Sequence, residues 1–160
     1  MQDLLYTAEK VVSGALLAVL AATIMIQVVF RFILDLPLAW TEEVSRYTFI
    51  WLTMVAAPIC IREKANLGMD LLVHGLKKEV ANSASLLGYA LVGILLLVLL
   101  IWGVTILDVV KSQRSPAIGV SMAWIYAAIP TGAALMLIEI AVLVSTTARE
   151  LAQCIGARRK

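Results

Sequence analysis

The sequence predicts an all-α integral membrane protein: four transmembrane helices with both termini cytoplasmic and a short amphipathic interfacial helix between the second and third spans. Three observations lead there. First, 62% of the 160 residues are hydrophobic and only 15% are charged, whereas soluble domains run near half apolar and about a quarter charged. Second, the charge-free runs are long: Val11–Phe30 covers 20 residues, Asn82–Leu107 covers 26 and Pro116–Ile138 covers 23. A bilayer core about 30 Å thick needs about 20 helical residues, so each run can cross. Third, Lys and Arg are unevenly distributed between the two sets of loops, as set out below. No internal repeat or low-complexity linker divides the chain, which is expected to be a single membrane domain over residues 1–160.

The first span, 11–30, is expected to be a retained anchor rather than a signal peptide. Its flank carries Asp3 and Glu9 beside Lys10, and it ends in Val29-Phe30-Arg31 instead of a small-residue cleavage site. The second span needs more argument. Only 15 uncharged residues separate Arg46 from Arg62, about 22 Å of helix, which is too short. A helix beginning at Pro37, a residue suited to a first turn, with Asp35 satisfying free N–H groups at its start, reaches across as 37–61. Glu42, Glu43 and Arg46 then lie at its outer end.

Between spans two and three, Met69, Leu72, Val73, Leu76 and Val80 follow the spacing of one helical face. Lys77 and Lys78 fall on its polar side, so the segment is expected to lie flat at the inner interface. The third and fourth spans are expected near 82–107 and 118–146. Small residues at intervals of four (Gly14, Ala18 and Ala22; Ala84 and Gly88; Ala128 and Gly132) suggest helix-packing faces. Pro58 and Pro130 are expected to kink their helices and shape packing.

Four spans place Lys10, Arg62, Lys64, Lys77, Lys78, Arg149, Arg158, Arg159 and Lys160 on one side, and Arg31, Arg46, Lys111 and Arg114 on the other. The positive-inside rule assigns the first group, with both termini, to the cytoplasm. The net charge of +2 is too small and dispersed for nucleic-acid binding. With one histidine, and with Cys60 and Cys154 far apart, no haem, zinc or thiol redox centre is expected. No cofactor is implied, and no nucleophile–base pair or phosphate-cradling loop suggests an enzyme.

The most informative cluster is Trp40-Thr41-Glu42-Glu43-Val44-Ser45-Arg46. Glu42 and Arg46 are i, i+4 and Glu43 and Arg46 are i, i+3, so either carboxylate can face the guanidinium. The cluster reads as a polar contact for a partner subunit or an anionic solute, or as an interfacial anchor with Trp40 in the aromatic belt. Glu139 is the other ionisable group in an apolar run. Intramembrane carboxylates raise the question of proton coupling, but Arg149 is about 15 Å further along the helix, so a position approaching the inner headgroups is expected.

Arg31, Trp40-Thr41-Glu42-Glu43 with Arg46 and Trp51, then Arg62 and Asp70, resemble the signature of the DctQ-like small membrane subunit of TRAP (tripartite ATP-independent periplasmic) transporters. Ser115-Pro116-Ala117, Trp124-Ile125-Tyr126, Ile129-Pro130-Thr131-Gly132 and Leu135-Met136 are similar to that family's last span. The chain departs from the family with Ala56-Ala57 where Gly-Ala is frequent, and with Asn66 where a His is frequent. The resemblance implies a non-catalytic subunit in a bacterial or archaeal inner membrane. Its implied partners are a large TRAP membrane subunit, a periplasmic solute-binding protein and membrane lipids. It also implies sodium-driven uptake of a carboxylate-bearing solute such as a C4-dicarboxylate or sialic acid. On that reading Arg31, Trp40, Glu42, Glu43, Arg46 and Trp51 contact the partner subunit. The competing reading is an autonomous four-helix exporter, a homodimer using Glu139 to exchange protons.

Overall fold

The computed structural model describes residues 2–36, 38–63 and 78–158, with side chains for all of these except 2–3, 78–82, 150 and 152–158. Helix α1 is Gln2–Phe32, α2 Ala39–Arg62, α3 Lys78–Val110, α4 Met122–Tyr126 and α5 Ala128–Arg158. Ala127 keeps a helical backbone between α4 and α5 (φ −61°, ψ −21°). Four stretches are long and apolar enough to cross a membrane: Leu4–Phe32, Ala39–Arg62, Ser83–Val110 and Met122–Arg149. The expected four-span architecture is therefore present. Most of the expected interfacial helix, including Met69, Leu72, Val73, Leu76 and Lys77, lies outside the described residues. Lys78 and Val80 belong to the first turn of α3.

The contacts set the direction of each helix. Tyr6 on α1 meets Glu63 just past the end of α2, so these two are antiparallel. Met54 faces Gly132 and Arg62 faces Glu139, so α2 and α5 run the same way. Gly103 meets Ile129 and Pro130 while Gly93 meets Ile140, so α3 is antiparallel to α5. Among the described residues, α1 packs on α2 alone, and α3 packs on α4 and α5. The helices thus form an open row, α1–α2–α5–α3, rather than a closed bundle.

The start of α2 differs from expectation. The helix begins at Ala39, and no side chain caps it at Leu38. Asp35 instead takes a left-handed backbone (φ 50°) where the chain leaves α1, a conformation Asp tolerates. It is used in ending one helix, not in opening the next. The Thr41 amide and hydroxyl both donate to the Leu38 carbonyl, at 3.2 and 2.7 Å. Pro37 lies outside the described residues. The last span also opens later than 118, at Met122, because residues 113–121 form a folded turn described below.

Among the described residues α1 packs through a face other than the Gly14–Ala18–Ala22 stripe, which is exposed; a Cβ on Gly14 would meet nothing within 4 Å. Its less exposed positions are Tyr6, Glu9, Ser13, Leu16, Leu20, Thr23, Gln27 and Phe30, at alternating steps of three and four. That seam is more polar than the rest of the helix. In hydrocarbon, apolar side chains gain nothing by leaving lipid, whereas polar ones do. Ala128 and Gly132, by contrast, are buried as their spacing suggests.

The α2–α5 contact is close for a covalent reason. Pro58, fully buried, lacks an N–H, so the Met54 carbonyl loses its donor within the helix. Gly132 sits against that carbonyl: a Cβ there would lie 2.9 Å from Met54 O and 2.8 Å from Met54 Cβ. Gly132→Ala should therefore lower stability by about 1–3 kcal/mol, the scale of overpacking. Gly14→Ala should change it by no more than about 1 kcal/mol, in the stabilising direction of helix propensity. Thermal unfolding of the detergent-solubilised chain distinguishes them, and an unchanged Gly132→Ala melting curve would exclude the close approach.

Candidate functional site

The two sequence patches that carry the family resemblance meet at the end of the helix row opposite the termini. After α3, the chain folds on itself through four backbone bonds: Met122 N to Gln113 O (3.0 Å), Ser115 N to Val120 O (2.9 Å), Gly119 N to Ser115 O (2.9 Å) and Gln113 N to Val110 O (3.0 Å). Gly119 supplies the positive φ of 75° that this turn requires. Ser121 closes it, its hydroxyl donating to the Lys111 carbonyl at 3.1 Å and accepting from the Ala123 amide at 3.4 Å, which caps α4. The Arg114 guanidinium adds a bond to the Gly119 carbonyl at 3.3 Å.

This fold turns the amides of Ala117 and Ile118 toward α2, where the buried carboxylate of Glu43 accepts both at 3.2 Å and also accepts the Ser115 hydroxyl. A carboxylate in a concavity of backbone N–H groups is well matched, since each donor is fixed and charge-assisted bonds are the stronger kind. A second tie lies deeper, with Trp51 Nε1 donating to the Trp124 carbonyl at 3.2 Å. Glu43 and Trp51 are therefore engaged within the chain. Arg31, Trp40, Glu42 and Arg46 are exposed. Of the two carboxylates that spacing allows to Arg46, Glu42 takes the guanidinium, at 3.1 Å.

At the end bearing the termini lies a second polar group that the sequence reading did not assemble. Tyr6 Oη donates to Glu63 Oε1 at 2.5 Å, and Lys10 Nζ reaches the same oxygen at 2.9 Å. The Arg62 guanidinium stands 4.4 Å from the Tyr6 ring centroid and 3.9 Å from Glu139 Oε1. Glu9, 7% exposed, lies in the electrostatic field of both Arg62 and Glu139, and its Oε2 takes no hydrogen bond. The Tyr6 hydrogen bond first, and the Lys10 ammonium second, hold the Glu63 carboxyl below its ordinary value of 4.5. This tie is therefore present above that value and is lost as pH falls through the lower, folded one. Glu139 sits level with Arg62, at the end of α2. The available signal for the cluster was the step-of-three-and-four seam of α1, which includes both Tyr6 and Glu9. No group of His, Cys, Asp and Glu able to hold a metal occurs among the described residues.

Two outcomes follow from this geometry. Glu43→Ala should speed hydrogen exchange at the Ala117 and Ile118 amides by about tenfold or more, the scale of a hydrogen bond to a charged group. Exchange unchanged at those two positions would remove Glu43 from the turn. At the other end, Arg62→Ala leaves Glu9 and Glu139 uncompensated. It should cost about 3 kcal/mol, the low end for breaking a buried pair because the contact is long. Glu9→Gln removes one of two buried like charges and should raise the melting temperature; a decrease would reject that charge balance.

The profile of the DctQ component of the tripartite ATP-independent periplasmic transporters matches residues 20–150. A putative TRAP transporter small permease protein of Haemophilus influenzae is 26% identical over 117 residues, covering 70% of this chain and 71% of the relative. The sialic acid TRAP transporter permease protein SiaT of the same species is 22% identical over 129 residues, which is 81% of this chain but 21% of the relative. The isethionate TRAP transporter permease protein DctMQ of Oleidesulfovibrio alaskensis is 27% identical over 109 residues, 63% of this chain and 16% of the relative. The chain thus spans about a fifth of the sialic acid permease and less of the isethionate one. The match takes in α2, the turn that Glu43 holds and most of the helices around them, and by it this multi-pass membrane chain belongs to the DctQ family, the small permease subunits of TRAP transporters.

Proposed function

We propose that this chain is the non-catalytic small subunit that scaffolds a large TRAP permease in the inner membrane of a bacterium or archaeon, both termini cytoplasmic. The system would take up a carboxylate-bearing solute, driven by sodium and delivered by a periplasmic binding protein. The observation that carries this reading is the open helix row. Among the described residues the row encloses no path between its helices, which suits a subunit that widens another. The small-residue stripe Gly14–Ala18–Ala22, exposed among the described residues, offers α1 a close approach to a neighbouring helix. Relatives in which a similar segment forms part of a much longer permease support the same partnership. Two of those relatives carry sialic acid, a carboxylate, and isethionate, a sulfonate, in their names; both are organic anions, and the first supports a carboxylate-bearing cargo.

Arg31, Trp40, Glu42 and Arg46 supply the exposed polar contact to the large subunit on this reading, while Glu43 and Trp51 hold the surface in shape. The exporter alternative needs a carboxylate at mid-membrane; the place of Glu139 beside Arg62, the last residue of α2, does not favour it.

Reconstituted alone, the chain should move no solute. Sodium-dependent uptake should appear only with the large subunit and the loaded binding protein, and counterflow by the isolated chain above empty liposomes would overturn the assignment. Arg46→Ala should weaken co-purification with the large subunit or lower uptake without preventing insertion. An exposed anchor pair, contributing about 0–1 kcal/mol, would leave both at the wild-type level.

A further inference from the structure

We propose that Arg46 and Glu42, while no large subunit covers them, form the headgroup site for one tightly held phospholipid of the leaflet opposite the termini, whose acyl chain lies in the groove between α2 and the α4–α5 segment. The groove has a volume of about 280 Å³. Its lining is polar at Arg46, Tyr47 and Tyr126 and apolar at Ile50, Met122, Ile125 and Ile129. On the other side of Arg46 is a more open hollow of about 400 Å³ that Glu42 and Arg46 share with the Pro116–Ala117 turn. One ion pair thus stands on the ridge between a polar hollow and an apolar groove.

Depth and charge both fit a lipid. Arg46 is seven residues into α2, about 10 Å from its start, and the exposed Trp40 and Trp124 mark the same end. Aromatic residues of this kind sit at the headgroup level, so the groove runs from there into the hydrocarbon. A planar guanidinium accepts a phosphodiester in two-point geometry. Arg46 and Glu42 are 3.1 Å apart and both about two-thirds exposed, so each keeps bonding capacity for an outside group. Their charges cancel. A zwitterionic headgroup with its phosphate on Arg46 and its ammonium on Glu42 matches that dipole, whereas an anionic headgroup meets the Glu42 carboxylate. A small hydrophilic anion meets the same repulsion and gains nothing from an isoleucine lining.

Native mass spectrometry of the full chain, released from nanodiscs of mixed phosphatidylethanolamine and phosphatidylglycerol, tests this. It does so without the large subunit, so failure here and failure of the subunit reading are separate results. One retained phospholipid per chain is expected, with the ethanolamine lipid favoured. Arg46→Gln, an exposed substitution, should reduce retention about tenfold or more, the scale of a charge-assisted contact. Ile50→Trp, filling the groove, should do the same, while Arg31→Gln, exposed at the same end outside the groove, should leave it unchanged. Glu42→Gln should shift the preference toward the anionic lipid. Equal retention in wild type, Arg46→Gln and Ile50→Trp would overturn the site. So would displacement of the lipid by a soluble dicarboxylate, which would assign the hollow to a solute.

Discussion

Glu43 brings a buried carboxylate against the Ser115 hydroxyl and the amides of Ala117 and Ile118, and this contact ties the first half of the chain to the second. In a soluble protein, such a tie would be one among many, with burial of apolar surface supplying most of the stability. Inside a bilayer that driving force is absent between helices, because lipid is as apolar as leucine. Position must then come from fixed polar contacts and close backbone approach. Glu43 supplies the first kind. Gly132, lodged against the Met54 carbonyl that Pro58 deprives of its helical donor, supplies the second. Both act on the α2–α5 pair, the centre of the row.

The open row follows from where these contacts lie. Among the described residues each outer helix has one neighbour in the row: α1 leans on α2, and α3 on the α4–α5 segment. Residues such as Met25 on α1 and Trp102 on α3 are each 69% exposed, and lipid or another subunit is their natural solvent. The turn at 113–121 stiffens one end of the row with its own hydrogen bonds, so the exposed Arg46–Glu42 pair and Trp40 are presented from a rigid base. Rigidity of this sort suits a static surface better than a moving gate.

The termini end is organised on different terms. Tyr6, Lys10, Arg62 and Glu63 form a connected group in which one tyrosine both donates a hydrogen bond and offers its ring face to two cations. Arg62 also reaches Glu139, so three helices converge on a single guanidinium. With two buried carboxylates around it, Arg62 is positioned where removing one charge has consequences for the other two. The α1 helix, which has the fewest neighbours, is fastened by this group at one end and by its polar seam along its length.

By itself the sequence determined the fold class and the number of spans, because a bilayer imposes length and composition on every crossing segment. The tryptophan–glutamate–arginine motif and the Ser115–Ala117 motif were visible as separate patches. Only the tertiary structure decided that they are one site. Spacing along a helix relates Glu42, Glu43 and Arg46 to each other but cannot say which carboxylate turns inward to meet residues more than seventy positions away. The same reason applies to the face of α1: small residues at intervals of four mark where a helix could pack, whereas the face turned inward in this chain carries Glu9, Ser13, Thr23 and Gln27, polar side chains that leave lipid. It explains Asp35 too, since an aspartate between two helices can serve either end, and the backbone turn out of α1 took it. Charge-free length is a local property and was legible; pairing across helices depends on which polar groups find partners, and that exists only once the chain is folded.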